Sequence, residues 1–294
     1  MPSRLLVPRW AVVGRRLRWR AGCQGALTAM SLAVAAMTTA AWVPATRAGE
    51  APANRKPHVV FVIGEDEYKS EQTLPPIARE LEGRHGMRCT VLTSQPDPKN
   101  AKNIPGLDAL ASADLAVFYV RFRQLPEDQL NHILSYANSG KPVVALRTST
   151  HAFRYPKGSA FEQWNDRFGL EILGQKWIHH YGHDSSTDVS VIPEAAEHPI
   201  LTGVAKEFHC RSWLYFVQPI PTSARPLLEG TSVGGSFKGK RVVNPVAWTW
   251  EPKGGRVFYT SLGHPEDFKV EPFRRLLFNG MYWALGKPVP AKLP

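Results

Sequence analysis

Hydrophobic and polar positions alternate between two periods along most of this chain. His58-Val59-Val60-Phe61-Val62-Ile63-Gly64 is an unbroken apolar run ending in glycine, which predicts a strand buried on both faces. Leu74, Ile77, Ala78 and Leu81 then recur at helical spacing and predict a helix over 71–85. Residues 87–93 and 114–120 repeat the strand pattern. Pro126-Glu127-Asp128 opens a helix over 126–139 with acidic residues at the positive end of its dipole, and Gly140 closes it. Residues 142–146 form a fourth strand. Beyond 150 the pattern loosens into a helix near 159–168 and strands at 187–192, 213–217, 225–229 and 243–250. A last unit is regular again: strand Val257–Thr260, the polar turn Gly263-His264-Pro265-Glu266-Asp267, and a helix after Pro272 with Phe273, Leu276, Leu277, Gly280 and Trp283 on one stripe. Strands alternating with helices predict a single α/β domain with a doubly wound, mainly parallel sheet.

Composition changes this picture at one end. Residues 1–48 hold seven arginines, no acidic residue and an alanine-rich apolar run from Ala21 to Ala45. This is the pattern of an export signal, cleaved near residue 46 or 49, with Arg15-Arg16 hinting at the twin-arginine route. The run is too weakly apolar for a retained span, so no membrane anchor is expected after cleavage. Residues 49–57 read as a linker and 287–294 as a tail. Of 36 basic residues, 36 less those seven leaves 29 against 25 acidic ones, a net charge near +4. The basic balance therefore belongs mostly to the leader, and a nucleic-acid partner is not expected. Cys89 and Cys210 remain outside it, with no metal-binding Cys spacing; a disulfide between them stays open.

The chemistry gathers at strand ends. Glu65-Asp66-Glu67-Tyr68-Lys69 follows the first strand and Arg121-Phe122-Arg123 the third. Arg147-Thr148-Ser149-Thr150-His151 follows the fourth, and His264-Pro265-Glu266 the last. In an open parallel sheet such loops converge on one edge. His264, Glu266, His151 and Glu65 are the candidate acids and bases. Glu67, Tyr68, Arg121, Arg123, Arg147, Thr148 and Ser149 are the candidate substrate contacts, the arginines as bidentate donors.

The segments VVFVIGEDEYK, VVALRTSTHAF, EHPILTGV and NPVAWTW…GRVFYTSLGHPEDF…LLFNGMYWALG resemble the ThuA-like, trehalose-utilisation family over about 58–286. The resemblance implies a flavodoxin-like, class I glutamine amidotransferase-like fold and a carbohydrate-linked role. Amidotransferases of that fold carry a Cys nucleophile on a strand–helix elbow, with a His-x-Glu segment. His264-Pro265-Glu266 matches the segment, but Arg147 stands where the Cys would be. A guanidinium cannot attack a carbonyl, so glutamine hydrolysis is not expected. Ser149, two residues on, stays open as a nucleophile activated by His264.

His179, His180 and His183 are the one group spaced to share a divalent cation, which would make the chain a metal-dependent hydrolase. Trp164, Trp177 and Trp213 lie in the irregular half, where an aromatic can stack on a sugar ring; Trp248, Trp250 and Trp283 read as core. No Rossmann fingerprint or phosphate loop occurs, so a nucleotide cofactor is not expected. The leading reading is an exported enzyme acting on a sugar, glycoside or keto-sugar, as hydrolase, lyase or isomerase. A non-catalytic carbohydrate-binding module and the metal-dependent hydrolase remain as alternatives.

Overall fold

The computed structural model describes residues 55–235 and 241–294, so the expected leader and most of the expected linker lie outside the described residues. Its centre is a nine-stranded sheet. β1 (His58–Gly64), β3 (Leu115–Val120), β4 (Val143–Leu146) and β11 (Val257–Thr260) are side by side, with β2 (Arg88–Thr93) outside β1. These five run parallel. Every residue of β1, β3, β4 and β11 is buried, as continuous apolar runs require when both faces are covered.

The sheet then continues through β10 (Val243–Trp250), β9 (Arg225–Gly234), β6 (Ser185–Val191) and β7 (Glu207–Cys210), each antiparallel to its neighbour. The expectation of a mainly parallel sheet is corrected to a mixed one. The link 251–256 is too short for a crossover, which needs a dozen or more residues, so β10 and β11 pair as a hairpin. β7 carries no clear periodicity in the sequence. β5 (His179–His180) and β8 (Tyr215–Phe216) form a separate two-stranded ribbon.

Alternation along the central strands divides the core in two. Phe61, Ile63, Val117, Tyr119 and Phe258 pack with α1 (Ser70–Arg84) and α4 (Glu271–Ala284). Val60, Val62, Phe118, Ala145 and Tyr259 pack with α2 (Glu127–Asn138) and the turn 107–112. The helix expected near 159–168 is only the short α3 (Trp164–Arg167), which widens into a π-helical turn over Phe168–Leu173. Gly169 explains the close packing there: a methyl at its Cα would stand 2.6 Å from the Thr150 carbonyl oxygen. The two cysteines are free and sit on opposite edge strands, β2 and β7, which excludes a disulfide between them. Among the described residues, no helix is long and apolar enough to cross a membrane.

Candidate functional site

Because β1, β3, β4 and β11 are consecutive neighbours, the loops that leave them meet. A cleft of about 160 Å³ opens there, lined by Glu67, Tyr68, Arg121, Phe122, His151, Arg154, Trp177, His180, His183 and Tyr215. The β5–β8 ribbon forms its far wall. The backbone N–H of Trp177, just before the ribbon, donates to the Thr150 carbonyl at 3.3 Å, fastening this segment to the loop after β4.

Arg147 ends β4 in a left-handed conformation, φ 40°, the strained turn of an elbow. Its guanidinium is fully buried beneath the cleft, 4.3 Å from the Tyr68 ring centroid and 4.4 Å from that of Tyr215. It donates to the Ser261 carbonyl at 2.8 Å and to the Tyr68 hydroxyl at 3.2 Å. A permanent cation is thereby held by rings and neutral oxygens. Thr148 and Ser149, also fully buried, turn away from the cleft. Their hydroxyls donate to the Val120 and Phe118 carbonyls at 3.0 and 2.9 Å, lacing the loop to β3. The expectation that they touch substrate, and that Ser149 attacks it, is corrected on that ground.

His151 does face the cleft. Its ring sits 5.0 Å from Phe122 and 4.9 Å from Trp177, and its Nδ1 is buried with no hydrogen-bond partner. Burial first, then the charges of Arg121, Arg147 and Arg154, hold its imidazole well below the usual histidine range, so it is neutral. Glu67 pairs with Arg121 at 2.9 Å and accepts from the Tyr68 hydroxyl at 3.2 Å. Asp66 pairs with Arg121 at 3.2 Å just outside.

Glu65 and Arg123, in contrast, are scaffold. The Glu65 carboxylate is buried and accepts the backbone N–H of Glu67, Tyr68 and Ser70 at 2.7, 2.6 and 2.7 Å, which shapes the loop into α1. It has no face toward the cleft, which corrects the expectation of an acid or base there. Arg123 is buried and donates to Arg121, Ser94, Pro98 and Asn100, tying β3 to the segment after β2. Phe122, between the two arginines, has φ 53°, and this reversal sends their side chains to different places.

The turn after β11 also differs from expectation. Glu266 is exposed and its carboxylate pairs with Lys269 at 2.8 Å, which lowers its pKa, rather than orienting the His264 ring. Asp267 is the buried acid. It accepts from the N–H of Arg211 at 2.7 Å, the Ser212 hydroxyl at 2.5 Å, and the N–H groups of Gly263 and His264 at 3.0 and 3.1 Å. His264 caps this turn, its Nδ1 accepting from the Glu266 N–H at 3.2 Å, and its ring lies edge-on to Tyr68 at 6.2 Å, behind the cleft wall. Burial lowers its pKa despite Asp267.

The three clustered histidines separate because a strand alternates its faces. His179 stacks on Phe216 at 4.9 Å, while His180 lies on the cleft side, 4.5 Å from His183. Among the described residues, no group of three or more His, Cys, Asp or Glu is arranged to hold a metal ion, which corrects the expected triad. Of the tryptophans, Trp177 lines the cleft and Trp213 stands behind it, 4.3 Å from His183. Trp164 lies elsewhere, under Arg167. Arg154, Phe122 and Tyr215 were not singled out by the sequence; only their nearness to the chosen strand ends could have marked them.

The family described as ThuA, trehalose utilisation, matches residues 58–284. A solved protein of Parabacteroides merdae described as ThuA-like superposes with TM-score 0.60 at 17% identity, covering 82% of this chain and 94% of its own. One of Bacteroides uniformis, described likewise, does so with TM-score 0.55 at 16% identity, covering 80% and 94%. At these identities the likeness is one of fold. No curated protein matches the chain.

Proposed function

The chain belongs to the ThuA, trehalose-utilisation family, and from that premise we propose that it is an exported enzyme acting on a sugar, glycoside or keto-sugar by acid/base chemistry at the C-terminal edge of its sheet. The observation that carries this reading is the neutral imidazole of His151, its Nδ1 without a partner, in a cleft lined by Arg121 and Arg154 with Arg147 buried beneath. A neutral imidazole takes up a proton; the cations that keep it neutral stabilise negative charge left on the substrate. A proton beside a sugar carbonyl is the substrate group that needs only these two partners. Trp177 and Tyr215 offer flat apolar faces against which a pyranose ring can lie. Glu67, oriented by Arg121 and Tyr68, is placed to accept from a sugar hydroxyl. His264 and Asp267 hold the loop behind Tyr68, and in this reading act through it.

The test is turnover or solvent-deuterium incorporation with a panel of glycosides and keto-sugars, comparing wild type with His151→Gln. Loss of roughly 10²- to 10⁴-fold in kcat/KM, with ligand affinity kept, is the expected result. Because His151 stays uncharged well below the usual histidine range, kcat/KM should show no acidic limb near pH 6.5. Binding of sugars without turnover in wild type would leave a carbohydrate-binding module in place of an enzyme. Export is argued from the arginine-rich, acid-free leader; N-terminal sequencing of periplasmic or secreted protein should find a start near residue 46 or 49, and an intact Met1 would overturn it.

A further inference from the structure

The charges around the cleft do not balance. Arg121 and Arg123 face Glu67 and Asp66, with contacts of 2.9, 3.2 and 4.0 Å. Among the described residues, neither Arg147 nor Arg154 has a carboxylate within ion-pair distance. Arg147 is sealed under the floor, so its charge acts at a distance. Arg154 is different: it lines the cleft, its side chain is exposed, and its guanidinium sits 3.3 Å from the centroid of the Phe122 ring. The Arg121 guanidinium sits 4.4 Å from the same centroid. Both guanidinium groups therefore stack on one aromatic ring that lines the cleft, and only that of Arg121 has carboxylate partners.

Phe122 holds its place from a left-handed backbone, φ 53°, a strained conformation for a bulky non-glycine residue. Arg121 N–H donation to the Gly64 carbonyl and Phe122 N–H donation to the His151 carbonyl fix that conformation. An anion in the cleft would supply the counter-charge that Arg154 lacks. The unpartnered Nε of Arg121, buried beside this ring, adds a donor without an acceptor.

We infer that the ligand of this cleft carries a carboxylate, received by Arg154 with Arg121, so that its substrates are acidic sugars such as uronic acids or their keto derivatives. The inference rests on the carbohydrate reading above. A guanidinium fork matches the planar carboxylate with two parallel N–H donors, and the flat walls of Phe122 and Trp177 suit a planar group better than a tetrahedral one.

The experiment is calorimetric binding to full-length mature protein of matched probes: glucuronate against glucose, galacturonate against galactose, with glucose 6-phosphate and acetate as further arms. Each is measured at low and high salt, for wild type and Arg154→Gln. The exposed position of Arg154 leaves folding intact, which an unchanged melting curve checks. The expected result is a uronate preference of about ten- to a hundredfold, weakened by salt and abolished in Arg154→Gln. Equal affinity for neutral sugars and uronates would overturn the carboxylate and leave the sugar cleft standing. Tighter binding of the phosphate, a preference surviving in Arg154→Gln, or no binding of any probe would likewise overturn it. Acetate bound as well as uronate, with Arg154 required, would support the carboxylate site and remove the sugar.

Discussion

At the residue scale, adjacent acids in one turn have opposite fates. Asp267 is fully buried under donors from Arg211, Ser212, Gly263 and His264, whereas Glu266 stands in solvent beside Lys269. Asp267→Asn replaces an acceptor by a group with its own two donors, facing N–H groups it cannot satisfy. Unfolding in urea should show a loss of about 2–4 kcal/mol, and Glu266→Gln should leave the midpoint almost unmoved. Equal effects would mean the turn is held by something other than the Asp267 carboxylate. The sequence marks this turn as polar and cannot say which acid points inward, since that depends on where the 3-10 turn begins. The same limit applies to Glu65 and Glu67. Two residues apart and chemically equivalent on paper, they divide into a buried loop anchor and a cleft-facing carboxylate because the loop reverses between them. Phe122 shows the limit again, since its left-handed backbone has no signature in a bulky side chain.

At the element scale, the strand–turn–helix unit at the C-terminus depends on one close approach. Gly280 of α4 lies directly on Phe258 of β11, and a methyl at its Cα would fall 2.3 Å from the ring. Gly280→Ala should therefore lower stability by about 1–3 kcal/mol in chemical denaturation, even though alanine is the better helix former by about 1 kcal/mol. A more stable variant would show that α4 can move off the sheet without harm. The central strands and their helices were legible because burial on both faces leaves continuous apolar runs and because helical spacing repeats. The antiparallel half was read only in part: β10 matches its expected span, yet β7, with pattern Glu207-Phe208-His209-Cys210, exposes one face and pairs at an edge, where alternation is too short to stand out. Of the β5–β8 ribbon, β8 falls within the strand expected at 213–217, whereas the two residues of β5 are below what any periodicity can reveal; the ribbon supplies the cleft with Tyr215 and His180.

At the scale of the whole molecule, histidines couple the fold to pH. His58, His85, His151, His180, His198 and His264 are all held below the usual value near 6.5, burial being the first cause in each, and His198 is lowered to about 4. The unfolded chain therefore binds protons between those values that the folded chain refuses. Their contribution is complete above about pH 6.5 and is lost as pH falls toward 4, by at most about 1.4 kcal/mol per pH unit for each proton. Melting temperature should be nearly level from pH 7 to 8 and decline steadily from 6.5 to 4. His198→Gln should shallow that decline, and a profile flat to pH 4 would refute the account. His198 is apt for this test because it caps the turn Pro199–Leu201, away from the cleft.

The aromatic walls have a further consequence, optical rather than chemical. Trp177 stands 4.9 Å from His151, and Trp213 stands 5.3 and 4.3 Å from His180 and His183. Indole emission is sensitive to the charge of an adjacent imidazole and to displaced solvent. Each indole Nε1–H is also buried without a partner, so a ligand that accepted from either would shift its spectrum. The molecule thus carries one native fluorophore in the wall of its cleft and a second behind it, and occupancy can be followed by their emission while the substrate is still being sought.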